Sequence, residues 1–420
     1  MSERATELVA RASYGRLLAI LTARTGDIAA CEDALAGAFE AALRRLPEQG
    51  VPEQPEAWLL AVARRRLLDG VRRAGVRTRE ADAVAEFIHD LAERGDADAF
   101  PDACLRLLFI CTHPAIEPSA QVPLMLQTAL GLDAAAIASA MRVAPKTMGQ
   151  RLWRAKTKIR EAGIPFEVPD AVELPQRVEA VLEAIYAAFG TAWEDVHYGQ
   201  ERFRDLGDEA IFLARLTCSL LPHHAEALGL LSLFLFATAR RTARRSNAGE
   251  FVPLSEQDPS SWDVALLDEA EMLLAQAFAL GSMGPYQLEA ALQSAHVSGI
   301  RRKRVDHEAI VALYDGLVRL APSLGALVGR AAALLEARDA DFALQALDAI
   351  DVHLSSTYQP WWAVRAAALA AAGRTADADV AYASAMGLTE DQPTRQFLAE
   401  RRARLHRSRA AQADSADDAS

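Results

Sequence analysis

The feature that most constrains the fold of this chain is its scarcity of strand-like alternation. Val, Ile and Thr rarely alternate with polar residues over four or more positions, whereas Ala, Leu, Arg and Glu dominate. Those four residue types favour helices. Hydrophobic residues make up 51% of the chain, which is enough to build buried cores and excludes a largely disordered protein. We therefore expect an all-α fold of about two to four domains.

Charge and targeting signals narrow the class of protein further. The chain has 45 Lys and Arg against 57 Asp and Glu, a net charge of −12, which argues against a histone-like coat but leaves room for a local basic site. The longest apolar run, Ala227–Ala239, is too short to span a bilayer, and no signal peptide is visible. Four cysteines without a Cys-x-x-Cys motif give no disulfide framework or zinc knuckle. We expect a cytoplasmic protein without a metal, a cofactor or a membrane partner.

Composition shifts divide the chain into segments. Eight acids against three arginines lie between residues 76 and 102, which indicates an acidic linker. Pro165, Pro169 and Pro175 mark a second boundary, because each proline removes a backbone donor. The predicted segments are a helical block 1–75, the linker 76–102, a second helical block 103–168, a long helical region 169–405 and a disordered tail 406–420.

The segment Leu132–Ile159 has the pattern of a short helix, a turn and a second helix. Asp133 is a suitable N-cap for the first helix, and Pro145 suits the first position of the second. In the second helix an apolar stripe is predicted to face the core: Met148, Leu152, Ala155 and Ile159.

The other side of this second helix is strongly basic. Seven Lys or Arg and no acid lie between Arg142 and Arg160. A helix of this size enters the major groove of a duplex, where its N-terminal residues reach base edges and its later cations reach phosphates. The alternative is a solvated basic helix without a ligand. The candidate DNA contacts are Lys146, Thr147, Gln150 and Arg151 for bases, and Arg154 and Lys158 for phosphates.

The N-terminal block contains two predicted helices. Leu35 and Phe39 belong to an amphipathic helix that carries Asp33 near its start. A second helix begins near Trp58 and carries an arginine cluster, which is either a solvated face or a contact to nucleic acid. The members of that cluster are Arg64, Arg65, Arg66, Arg72 and Arg73.

These patterns together resemble a known family. IASAMRVAPKTMGQRLWRAKTKI resembles region 4 of bacterial RNA polymerase sigma factors, and CEDALAGAFEAALRRLP with EAWLLAVARRRLLDGVRR resembles region 2 of the extracytoplasmic-function (ECF) class. LRLLFICTHPAIEPSAQV, REAGIPFEVP, SEQDPSSWD and GPYQLEAA resemble the ECF subgroup with a helical extension of tetratricopeptide-like (TPR) repeats. The likeness covers roughly residues 8–402.

The resemblance implies a sigma factor that performs no bond chemistry itself. Its partners would be core RNA polymerase, bound through Asp33, Leu35 and Phe39, and promoter DNA. The −10 element would be contacted by the arginine cluster, with Arg64, Arg65, Arg72 and Arg73 as candidates, and the −35 element by the second helix of Leu132–Ile159.

Some positions depart from the family pattern. Ala36 and Gly37 stand where the family usually has Gln-Glu, Arg65 stands where Asn is common, and Pro123 is expected to interrupt a helix of region 4. These departures leave open an alternative, a stand-alone DNA-binding regulator derived from a sigma factor that no longer binds polymerase productively.

Helix pairs recur near the C-terminus. The last pair places small residues where two helices meet, with Gly373 at the turn between them. Stacked pairs of this kind form a concave groove. The groove is interpreted either as a site for a protein or peptide ligand that regulates the N-terminal half or as a scaffold. An enzyme in this half is the other alternative, but no convergent polar residues support it. The positions of the last pair are Trp362, Ala366, Leu369, Gly373, Ala378, Tyr382 and Ala385.

Overall fold

A computed structural model describes residues 14–23, 25–49, 55–73, 99–141, 143–170, 172–195, 201–246 and 248–417. Residues 76–98 of the predicted linker, residues 418–420 of the predicted tail, and Arg142 in the predicted turn lie outside this part. The described residues are helical, and the one β-contact among them is an isolated bridge between Arg245 and Phe251. The all-α prediction is therefore confirmed. No helix in these ranges is long and apolar enough to cross a membrane.

The chain divides into two compact units, residues 1–220 and 221–420. In the first unit α8 and α9 pack against each other and against α4 and α5. The predicted boundary at residue 168 therefore falls inside this unit. The helices of the first unit are α1 (14–23), α2 (Ile28–Gln49), α3 (Pro55–Arg73), α4 (Ala99–Cys111), α5 (Pro118–Leu130), α6 (Ala134–Ala140), α7 (Pro145–Glu161), α8 (Leu174–Asp195) and α9 (Glu201–Leu220).

Local sequence signals explain where the central helices begin and end. Gly131 ends α5 with a φ of 68°, a conformation that glycine adopts without strain. The side chain of Asp133 accepts a hydrogen bond from the backbone N of Ala136 (2.7 Å), and Pro145 lies in the first turn of α7, as expected. The expected interruption at Pro123 is wrong, because α5 continues through it. One missing backbone donor is tolerated where the rest of the helix is well packed.

The second unit is a succession of packed helices. Most helices contact the next one along the chain, and α10 packs against both α11 and α12. The helices are α10 (Ala225–Ala239), α11 (Val264–Ala279), α12 (Pro285–Arg301), α13 (His307–Leu320), α14 (Leu324–Ala337), α15 (Ala340–Asp348), α16 (Val352–Ser355), α17 (Gln359–Ala371), α18 (Thr375–Gly387) and α19 (Gln392–Asp417).

Two expectations about the second unit can be compared with the structure directly. The apolar run Ala227–Ala239 forms α10, which is buried along nearly its whole length, so the buried-helix interpretation is confirmed. Ala366 and Ala378 are fully buried where α17 and α18 pack, and Gly373 turns between them with a φ of 73°. The helix pair is present, whereas its identity as a TPR repeat stays a prediction.

The end of the chain differs from the expectation. A disordered tail was expected from residue 406, but α19 continues to Asp417. Residues 406–417 include four Ala and two Arg, which are good helix formers, so their intrinsic preference favours a helix here.

Candidate nucleic-acid interface

Helix α7 has one buried and one exposed side. Met148, Leu152, Ala155 and Ile159 are all at most 5% exposed and form the inner stripe of the helix. This confirms the predicted core stripe. The buried stripe fixes the rotation of α7 about its axis, so the residues on the opposite side of the helix point away from the unit.

The outer side of α7 presents the predicted DNA-contact residues. Lys146, Thr147, Gln150, Arg154 and Lys158 are exposed, and Arg151 is half-buried. All six therefore belong to one helix surface with a positive charge and several neutral hydrogen-bond donors. Their role in binding DNA stays a prediction.

Trp153 is a further residue of this surface that sequence reasoning missed. Its side chain is 65% exposed, although an indole usually gains by burial. The available signal was its position between Leu152 of the core stripe and Arg154 of the basic face. An exposed aromatic ring among cations suits contact with a partner that offers both apolar and anionic groups.

A short connection, residues 141–144, joins helix α6 to α7. Ile137 and Ala138 of α6 are fully buried. The backbone N of Val143 donates to the carbonyl of Ala138 (2.9 Å), and the backbone N of Met148 donates to Ala144 (3.0 Å). The connection is therefore anchored to helices on both sides.

One cation of the basic segment faces inward. Lys156 donates a hydrogen bond to Glu32 of α2 and pairs with it, and each side chain is 13% exposed. Burial raises the pKa of Glu32, and the positive charge of Lys156 opposes that rise. Sequence reasoning missed this pair, because two residues 124 positions apart leave no local signal.

The candidate polymerase contacts occupy different environments. Asp33 is exposed and Phe39 is half-buried, with its ring 6.1 Å from that of Tyr14. Leu35 is fully buried in the core formed with Leu17 and Leu18. We therefore withdraw Leu35 as a surface contact, because an apolar residue of an amphipathic helix packs inward when it lies on the core stripe.

The arginines of α3 are also separated by the fold. Arg65 is exposed, whereas Arg64 is only 9% exposed and so is corrected from a surface contact to a buried residue. The same helical rotation that exposes Arg65 turns Arg64 inward beside Ala63. The side chains of Arg72 and Arg73 lie outside the described part.

The absence of a side chain at Gly37 of α2 is explained by its contact with Arg66 of α3. A Cβ built on Gly37 would lie 2.3 Å from Nη1 of Arg66, so the guanidinium of Arg66 rests against the backbone of α2. A larger residue at position 37 would have to displace this side chain. Gly37 thus permits a close contact between α2 and α3.

No metal-binding chemistry is apparent in the described ranges. They contain no group of three or more His, Cys, Asp or Glu side chains placed to hold a metal ion. The four cysteines are all buried, and none of them forms a disulfide. Burial raises the pKa of Cys104 and of Cys111 to about 12, so neither thiol is poised as a nucleophile.

Comparisons with known proteins agree with the N-terminal geometry. Residues 9–77 match the family described as Sigma-70 region 2, and residues 177–278 match a family of unknown function (DUF6596). The Sigma-70 region 2 match supports a sigma-factor-like role in transcription initiation, with core RNA polymerase and promoter DNA as partners. Sigma factors are not an enzyme family.

A relative that matches most of the chain completes the comparison. The Rhizobium meliloti (strain 1021) protein named "Uncharacterized protein R00370" is 35% identical over 364 residues, and the matched region covers 85% of this chain and 85% of the relative. The chain therefore belongs to the same protein family as this Rhizobium protein, and it carries a Sigma-70 region 2 at its N-terminus.

Proposed function

We propose that this protein is a sigma factor of the ECF class that directs core RNA polymerase to particular promoters. In this proposal residues 1–75 contact the polymerase and the −10 element, and residues 103–168 contact the −35 element. The helices beyond residue 168 form a TPR-like regulatory extension that receives a protein or peptide ligand.

The observation that carries the proposal is that α7 has one buried apolar side and one exposed basic side. The match of residues 9–77 to Sigma-70 region 2 supports the same proposal. The inner stripe of α7 is buried, and its outer side presents Lys146, Gln150, Arg154 and Lys158 to solvent. A helix that follows a short helix and a turn is one of the arrangements with which DNA-binding proteins enter the major groove. The net charge of −12 disfavours non-specific binding of DNA to the rest of the protein. DNA is therefore expected to bind at local basic surfaces such as this one.

The polymerase-binding part of the proposal rests on α2 and α3. Asp33 and Arg65 are exposed on these helices and offer charges of opposite sign to a partner. Phe39, which is half-buried, adds apolar surface beside them. With Leu35 in the core, we assign the clamp contact to Asp33 and Phe39 and the nucleic-acid contact of α3 to Arg65.

A second candidate function is favoured by one observation on α2. Ala36 is exposed at a position where a polar side chain could have served a polymerase contact. A stand-alone DNA-binding regulator would retain the surface of α7 and dispense with that contact. The two candidates differ in polymerase binding and agree in DNA binding.

A paired binding experiment separates the candidates. Purified full-length protein is assayed for association with core RNA polymerase, and in parallel for binding to duplex DNA selected from a random pool. A sigma factor is expected to bind both, with Asp33→Ala weakening only the polymerase complex and Arg154→Ala weakening only DNA binding. DNA binding without polymerase association would support the regulator, and neither activity would contradict both candidates.

A further inference from the structure

The segment between α10 and α11 begins with four arginines in six positions, Arg240, Arg241, Arg244 and Arg245. Arg240 is only 6% exposed. Its Nε donates to the carbonyl of Phe236 (3.3 Å), and one of its Nη atoms donates to Oε1 of Gln293 on α12. This guanidinium is thus held between two helices in a largely dry environment.

Arg244 and Arg245 join Arg240 in one cluster. Burial, followed by the positive charges of Arg240 and Arg245, lowers the pKa of Arg244 to about 10. Asp391 acts on Arg244 in the opposite direction and also accepts hydrogen bonds from Arg245 at 3.1 and 3.3 Å. Arg244 therefore lies within electrostatic reach of the two other guanidinium groups and of the buried carboxylate of Asp391, which Arg245 contacts directly.

A histidine lies beside the cluster. Burial, followed by the charges of Arg240 and His307, lowers the pKa of His296 to about 4. His296 is consequently neutral at neutral pH, where its ring N–H can donate a hydrogen bond without adding to the positive charge.

A buried indole lies beside the start of the same segment. Trp262 is 4% exposed, and its Nε1–H has no acceptor among the residues that the structure describes. Its neighbours tie it to the end of α10: Asp263 N donates to the carbonyl of Ala239 (3.0 Å), and Thr242 Oγ1 donates to that of Ser261 (3.3 Å). A buried donor of this kind costs free energy unless an acceptor arrives.

Physical chemistry indicates what such a cluster would receive. Collecting and burying like charges is unfavourable, and Asp391 offsets part of that cost. Guanidinium groups bind the oxygens of phosphates and carboxylates in bidentate pairs. We propose that Arg240, Arg244 and Arg245 form a binding site for the oxyanion group, phosphate or carboxylate, of a small ligand, with His296 and Trp262 as neutral donors.

The first test uses the full chain without polymerase or DNA. The Tm is measured in sodium phosphate, sodium succinate and sodium chloride at equal ionic strength, and heats of binding are measured by titration calorimetry. Phosphate or succinate is expected to raise the Tm by about 3 °C or more beyond chloride, through binding to the folded state. The more effective anion identifies the ligand group. Equal Tm values in all three salts, with no heat of binding, would overturn the proposal.

A matched pair of variants locates the site. Arg244→Gln is expected to weaken binding of the effective anion at least tenfold and to leave the Tm in chloride equal or higher, because it relieves repulsion. Arg319→Gln, at an exposed position of α13, removes the same charge and should keep wild-type affinity. If Arg244→Gln kept the anion-induced Tm shift, or if Arg319→Gln lost it, the cluster would not be the site.

Discussion

Lys156 of α7 donates a hydrogen bond to Glu32 of α2, and only 13% of each side chain is exposed to solvent. The contact joins the helix of the candidate DNA interface to a helix of the region that matches Sigma-70 region 2. It also removes Lys156 from the set of cations that α7 presents outward. Both consequences can be measured.

Removal of Glu32 is expected to destabilise the protein. Glu32→Ala leaves the ammonium of Lys156 largely buried without this carboxylate, which should cost roughly 1–3 kcal/mol of unfolding free energy. The double variant Glu32→Gln, Lys156→Met should be closer to wild type, because replacing both partners removes the stranded charge. Urea denaturation measures both, with Asp33→Ala as the exposed neighbouring control. A double variant as unstable as Glu32→Ala would contradict the pairing.

The outward cations of α7 are expected to set the salt dependence of DNA binding. Arg154→Ala and Lys158→Ala should each weaken binding and reduce the slope of log K against log salt by about one, because each removes a phosphate contact. Lys156→Ala should leave that slope unchanged. Fluorescence anisotropy over a range of salt concentrations provides the measurement. Unchanged slopes for Arg154→Ala and Lys158→Ala would argue against α7 as the DNA-binding helix.

Gly284 is expected to be intolerant of a side chain. Glu226 accepts hydrogen bonds from the backbone N of Tyr286 (2.9 Å) and of Gln287 (3.1 Å), and so caps α12 from α10. A Cβ at position 284 would lie 2.2 Å from Cδ of Glu226. Gly284→Ala should therefore cost about 2 kcal/mol through loss of these charge-assisted bonds.

Gly316 provides the matched control for this change. A Cβ there would lie 3.5 Å from Leu288, an ordinary contact, and the position is inside α13. Gly316→Ala should be neutral or stabilise the protein by up to about 1 kcal/mol, because alanine favours helices. The two variants are compared by urea denaturation of the full chain. Equal effects would contradict the steric explanation.

His296 is expected to make stability fall in mild acid. Its pKa is about 4 in the folded protein against an ordinary value of 6.5, so between these values the unfolded chain binds more protons. Stability from this group is present above about pH 6.5 and declines as the pH falls toward 4, by at most about 3 kcal/mol. His296→Gln should flatten this part of the stability–pH curve. A wild-type curve that does not fall between pH 6.5 and 4 would contradict the burial of His296.

The sequence predicted much of the local structure and less of the side-chain environment. The caps at Asp133 and Pro145 and the inner stripe of α7 follow from local spacing, and the structure confirms them. Packing against α2 sets the rotation of α3 about its axis, and this rotation decides which of its arginines face solvent. The sequence analysis placed Arg64 on the surface, whereas the structure buries it.

Contacts between residues distant in the chain could not be predicted from the sequence. The Lys156–Glu32 pair and the capping of α12 by Glu226 join positions that are distant in the chain, and neither has a local pattern. The arginine cluster beside Asp391 likewise forms only when the end of α10 meets the start of α19. Such contacts are determined by how the helices pack, and a periodicity along one helix carries no information about them.

Run-off transcription with core RNA polymerase tests the proposed function most directly. Promoter templates are obtained by selection with the full-length protein and core polymerase together. We predict specific transcripts that require this protein, with Arg154→Ala and Asp33→Ala each reducing transcript yield and Arg319→Ala leaving it unchanged. Absence of any transcript, under conditions in which the folded protein and active polymerase are both verified, would contradict the assignment as a sigma factor.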